Sequence, residues 1–135
     1  MKLLTLVLVI LLFGLAAKAA GSSVLLDCPR GAWGCATPAE KQAVKQAIRV
    51  VFGVGWQARV ARCIAYAESG FNPYARNGED TSGGSHGAFQ INGVHRSWVD
   101  FRRIYRPLYN ARVAFRLSRG GSRWGAWTTH GKCGV

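Results

Sequence analysis

A helical repeat starts at Thr37 and, with one break, runs to Glu68, and little else in the chain leaves the fold so few choices. Thr37-Pro38-Ala39-Glu40 is a strong helix start. Thr37 can cap, Pro38 suits the first helical position, and Glu40 can close a capping box. Ala43, Ala47 and Val51 then recur at helical spacing, with Val44, Ile48 and Phe52 beside them. Gly53 to Gly55 should end this first helix. A second is predicted from Trp56 to about Glu68, with Val60, Ile64 and Glu68 at i, i+4 and i+8 on one face. Gln57, Arg59 and Arg62 fall on its solvent side. Two helices in succession, each with one apolar stripe, predict a mainly α fold.

The remainder reads as a loop-rich second half. Residues 69 to 86 hold Gly, Ser, Asn and Asp and predict a long loop of the kind that often carries function. Gly87 to Asn92, "GAFQIN", suits an extended segment with Phe89 and Ile91 facing one way and Ala88, Gln90 and Asn92 the other. A short helix is predicted over Arg96 to Tyr105, broken by Arg106-Pro107. A third substantial helix follows from Asn110 to Arg119, with Ala111, Ala114 and Phe115 inward, and Gly120-Gly121 ends it. No internal repeat or linker divides the 135 residues, so one domain is expected.

The start of the chain stands apart. Lys2 precedes an apolar run from Leu3 to Ala17, followed by Ala17-Lys18-Ala19, the layout of a secretory signal peptide cleaved near Ala19 or Ala20. The run is shorter than the about 20 residues that span a bilayer. The expectation is a secreted or periplasmic protein that meets the membrane only in transit. Cys28, Cys35, Cys63 and Cys133 then make an even set, which in an oxidising compartment predicts two disulfides and leaves the pairing open. The closest pair is C-x6-C, too wide for a zinc site, so no metal is expected. No cofactor signature is present. The formal net charge is +12, and it falls by two when Lys2 and Lys18 leave with the signal peptide. Such a surface is drawn to polyanions. The arginines are scattered and no nucleic-acid module signature appears, so nucleic acid is not expected, and charge alone does not choose between anionic membranes and bacterial walls.

Glu68 is the residue with the clearest chemical potential. It ends an apolar helix face just before Ser69-Gly70. Burial disfavours its ionised form, the helix C-terminus adds partial negative charge, and no cation precedes it on that face. All three effects raise its pKa. A carboxyl that keeps its proton near neutral pH suits general-acid work.

"AESGFNP", then "GAFQIN", then "YNARVAFRL" and "WGAWTTH" resemble the lysozyme-like catalytic domain of the soluble lytic transglycosylases and goose-type lysozymes, over roughly residues 57 to 130. The resemblance implies a lysozyme-like single domain of packed helices with a loop-rich substrate cleft, taken to span 37–135; the residues ahead of it read as a signal peptide at 1–19 and an irregular disulfide-held leader at 20–36. The resemblance implies action on the glycan strands of peptidoglycan, where a basic surface would also meet anionic cell-wall polymers, and a monomer is expected. Glu68 would be the catalytic acid and base, and Ser69 would help place the carboxylate or the substrate. Gly87 would let the glycan pass close to the backbone, Phe89 would floor the cleft, and Gln90 would hydrogen-bond substrate. Tyr109 and Asn110 would begin a core helix facing the site. His130 stands where relatives often carry Tyr near the catalytic Glu.

Two reaction types fit. In the first, Glu68 protonates the glycosidic oxygen between N-acetylmuramic acid and N-acetylglucosamine and then deprotonates the 6-hydroxyl of the same muramic ring, giving a 1,6-anhydro product. In the second, Asp80 or Glu79 supplies the second carboxylate of a hydrolase. Glu79 and Asp80 sit among Asn, Gly, Thr and Ser with nothing near in sequence to fix them, so the sequence favours the lytic transglycosylase. A non-catalytic cationic wall-binding or antimicrobial protein is the reading that needs neither Glu68 nor Gln90.

Overall fold

The computed structural model describes residues 35–135. The expected signal peptide, most of the irregular leader, and Cys28 lie outside the described residues, and with Cys28 lies the second expected disulfide. Helix α1 spans Pro38–Phe52. Its capping box is formed as the sequence predicts: the Glu40 amide donates to Thr37 Oγ1 at 3.2 Å, and the Thr37 amide donates to Glu40 Oε2 at 2.8 Å. Helix α2 spans Trp56–Ser69. It stops there because Gly70 takes the left-handed conformation, φ 61°, and its amide returns to the carbonyls of Ala65 and Tyr66.

Three two-residue strands follow, β1 (Arg76–Asn77), β2 (Ser85–His86) and β3 (Ile91–Asn92), antiparallel in the order β1-β2-β3. The register sets Asn77 beside Ser85 and Ser85 beside Asn92. These three polar residues therefore stand in one row on one face of the sheet. The stretch predicted as a loop is a small sheet, and of "GAFQIN" only Ile91 and Asn92 are extended. Gln90 breaks the alternation with φ 47°, so Ala88, Phe89 and Ile91 are all buried.

Arg96 to Tyr105 is not a helix. Its backbone bonds are turn bonds, such as the Arg103 amide to the Asp100 carbonyl. The Asp100 carboxylate takes the Arg102 amide at 3.1 Å, a local bond that competes with helix propagation. Val99 and Ile104 still reach the core. Helix α3 begins earlier than predicted, at Pro107, and ends at Leu117. Proline opens this helix rather than only closing the segment before it. Ala111 and Ala114 point inward as expected; Phe115 sits at the rim, 38 % exposed, with its ring edge against Phe52.

Helix α1 packs on both α2 and α3. Between them Val44, Ile48, Val60, Ile64, Phe89, Ile91 and Ile104 are almost fully buried. Phe52, Phe89, Trp124 and Trp127 form one aromatic cluster, with centroid separations from 5.2 to 6.2 Å. A six-residue 3-10 helix, Thr128–Cys133, closes the chain over α2. The Cys63–Cys133 disulfide pins it there, with a Cα–Cα distance of 5.7 Å.

Candidate active site

A groove of about 590 Å³ runs between the end of α2, the small sheet and the segment before the last 3-10 helix. Glu68 lines it from the helical side. Asn77, Asp80, Thr81, Ser85, Gln90 and Asn92 line it from the sheet side, and Trp127 and Thr128 close one end. The sheet's polar row is thus one wall of the groove.

Glu68 is half-buried. Thr129 Oγ1 donates to Glu68 Oε1 at 2.6 Å. Burial raises the Glu68 pKa and is the largest influence; the Thr129 hydroxyl and the charge of Lys132 pull it down, and the charge of Asp80 pushes it up. The sum is a raised pKa. The Thr129 contact fixes the position of Oε1 and with it the orientation of the carboxyl group. A carboxyl held in one orientation is what a general acid requires.

Asp80 has the opposite setting. Its carboxylate accepts from Ser85 Oγ and from the Thr81 amide at 2.8 Å, and it caps the short 3-10 turn Thr81–Gly83. These bonds, with that of the Asn92 amide, hold its pKa below the usual aspartate range. The expectation that nothing fixes this residue is corrected. The Thr81 amide is its neighbour in sequence, while Ser85 and Asn92, 5 and 12 positions away, are brought to it by the pairing of β2 and β3. Glu79 is exposed and is not among the groove-lining residues.

The remaining predicted residues divide sharply. Gln90 lines the groove; its Nε2 donates to the carbonyls of Ala75 and Gly87 at 3.2 and 2.9 Å, which fixes the amide plane. Ser69 is buried behind Glu68, and its hydroxyl bonds the carbonyls of Ala88 at 2.8 Å and Ala65 at 3.1 Å. It ties α2 to the segment before β3 and does not face the groove. Phe89 is wholly buried beneath Trp127, whose indole N–H donates to the Phe89 carbonyl at 2.7 Å. Gly87 faces inward too: a Cβ there would lie 2.4 Å from Asn110 Nδ2 and 2.9 Å from the Ile104 carbonyl. Asn110 is buried, accepts the Phe89 amide at 2.9 Å and donates to the His86 carbonyl, which shapes the turn carrying Gln90. The Tyr109 hydroxyl accepts the Asp100 amide at 2.8 Å. His130 bonds the Trp127 carbonyl through Nδ1, while its neighbour Thr129 is the residue that touches Glu68. Sequence reasoning missed Thr129, Lys132 and the Asn77–Ser85–Asn92 row. "WTTH" carried the first within one position, and nothing in the sequence marked the others.

A helix-end carboxylic acid with a raised pKa and a second, hydrogen-bonded carboxylate thus line one polar groove, an arrangement compatible with glycosidase chemistry. Comparison with known families agrees: residues 45–129 match the model described as "Lysozyme like domain". The chain belongs to this family, within the lytic transglycosylase superfamily, whose members act on the glycan strands of peptidoglycan. Neither a curated protein nor a solved structure gave a significant match.

Proposed function

We propose that this domain hydrolyses the β-1,4 bond between N-acetylmuramic acid and N-acetylglucosamine, with Glu68 as general acid and Asp80 as the second carboxylate. The observation that carries the proposal is the placement of the two carboxyl groups on one groove, Glu68 half-buried and held by Thr129, Asp80 held by Ser85 and the Thr81 amide. Glu68 gives its carboxyl proton to the glycosidic oxygen as the bond to the anomeric carbon breaks. Asp80, ionised, takes a proton from the water that adds to that carbon. The new sugar end is then reducing. Gln90, Asn77 and Asn92 offer amide groups for the N-acetyl and hydroxyl substituents.

A second reading keeps Glu68 alone as acid and then base, with the muramic 6-hydroxyl in place of water. It rests on the exposure of Asp80, which leaves that carboxylate well solvated and Glu68 the one half-buried groove acid. Mass analysis of muropeptides released from purified peptidoglycan separates the two. Reducing ends, and inactivity of both Glu68→Gln and Asp80→Asn, are expected. Products with 1,6-anhydro ends and a nearly active Asp80→Asn would replace the hydrolase with the transglycosylase. A fully active Glu68→Gln would overturn both.

A further inference from the structure

The tip where α1 turns into α2 carries a surface that the groove beside Glu68 does not explain. Val50, Val54 and Trp56 are 62, 75 and 52 % exposed, the most accessible group of large apolar residues in this part of the fold. Between the two helices lies a second groove of about 390 Å³, lined by Arg49, Gly53, Val54, Ala58, Arg59 and Arg62. Among the described residues the one ion pair is Asp100–Arg102, so none of these three arginines has a carboxylate partner. The Arg59 guanidinium lies 5.6 Å from the Trp56 ring centroid, which holds the two side chains side by side.

Three like charges around one groove repel each other and are relieved by a bound anion. The planar guanidinium matches phosphate oxygens two at a time. A soluble polyanion would satisfy the arginines but would leave Val54 and Trp56 in water. A bilayer surface satisfies both, because its headgroups present phosphate while its interface accepts the indole ring and the aliphatic side chain. No helix among the described residues is long and apolar enough to cross a membrane, so the contact is peripheral.

We propose that the α1–α2 tip docks the protein onto an anionic phospholipid bilayer, with headgroup phosphates between Arg49, Arg59 and Arg62 and with Val54 and Trp56 at headgroup depth. Trp56 and Glu68 stand at opposite ends of α2, roughly 18 Å apart along its axis. Docking by one end therefore leaves the catalytic groove open at the other. The proposal does not depend on whether the groove hydrolyses or transglycosylates.

Co-sedimentation of the disulfide-bonded protein with phosphatidylglycerol–phosphatidylcholine vesicles tests it. Binding is expected to anionic vesicles and not to pure phosphatidylcholine. The triple variant Arg49→Ser/Arg59→Ser/Arg62→Ser should weaken it on the order of a hundred-fold, since each basic residue at the surface contributes about 1 kcal/mol. Removing the same charge elsewhere, with Arg112→Ser/Arg119→Ser/Arg123→Ser, should cost much less. Val54→Ser/Trp56→Ser keeps the charge and should still weaken binding, with the depth of Trp56 read by quenching from brominated lipid. Three results would overturn the proposal: no binding to anionic vesicles, equal losses for the two triple variants, or binding to soluble poly(glycerol phosphate) that is as tight and indifferent to Val54→Ser/Trp56→Ser.

Discussion

Glu68 pays for its proton in stability, and the sign is testable. Its pKa in the folded protein lies above the ordinary glutamate value, so the folded state binds more protons than the unfolded state between the two values. Stability is therefore full below the ordinary value and declines as pH rises through the folded one. Glu68→Gln removes that decline while keeping an acceptor for Thr129. The variant should be inactive yet melt higher than the parent at neutral pH, and the two melting temperatures should converge in acid; thermal unfolding across pH reads this. Thr129→Val acts in the other direction on the same group. Its hydroxyl pulls the Glu68 pKa down, so its loss raises that pKa further and releases the carboxyl from its fixed orientation. The alkaline limb of the kcat profile should move to higher pH, while kcat at the optimum falls about a hundred-fold if the carboxyl shifts by ~1 Å. A change in kcat with an unmoved limb would mean that Thr129 acts on substrate instead. Glu68 was legible in the sequence because it shares a helical face with Val60 and Ile64. Thr129 was not, because it lies 61 positions away and reaches Glu68 only through tertiary packing.

Helix α2 and the C-terminal 3-10 helix are the two elements that set this contact, and the Cys63–Cys133 bridge joins them across 70 positions. Cys63 lies on α2 five residues before Glu68, and Cys133 closes the turn that carries Thr129 and Lys132. The bridge thus fixes one lever on the proposed acid, Glu68, as well as the fold. Closing a loop of that length contributes about 4 kcal/mol in the chain-entropy view. Cys63→Ser/Cys133→Ser should lose about that amount in urea unfolding. It should also show the shifted alkaline limb of Thr129→Val at a temperature where it is fully folded. A variant that is less stable but keeps the parent profile would limit the bridge to a stability role. The helices α1 and α2 were readable because capping residues and a 3.6-residue period agree over many positions. The sheet was not, since two-residue strands are too short to show a period of two, and its glycines and asparagines look like any loop. The segment read from the sequence as a solvated tip is exposed as expected, and it also fixes Asp80 through Ser85 and the Thr81 amide, the contact that motivates the two-carboxylate proposal. The short helix expected over Arg96 to Tyr105 failed for a related reason: Asp100 spends its carboxylate on the local backbone, a bond that periodicity does not register.

The described residues divide into a helical body that carries Glu68 and a small sheet whose β1–β2 connection carries Asp80, with the groove at their junction. The formal net charge of the sequence is +12, and among the described residues the arginines are mostly exposed with Asp100–Arg102 as the one ion pair, so their charge acts mainly at long range. Peptidoglycan and its attached polymers are anionic, and a surface of this charge should raise the local concentration of enzyme on intact walls. Salt screens such attraction over about 10 Å at 0.1 M ionic strength. The groove chemistry is screened less, because Glu68 is half-buried and its partner Thr129 is uncharged. Turnover of intact walls should therefore fall several-fold between low and high salt through a rising KM, while turnover of a short, uncharged chitin-type oligosaccharide should change little. Measuring both substrates across one salt series checks this. If both decline in parallel, salt acts within the groove, through Lys132 and Asp80 on the Glu68 pKa, and the surface charge has no part in wall turnover.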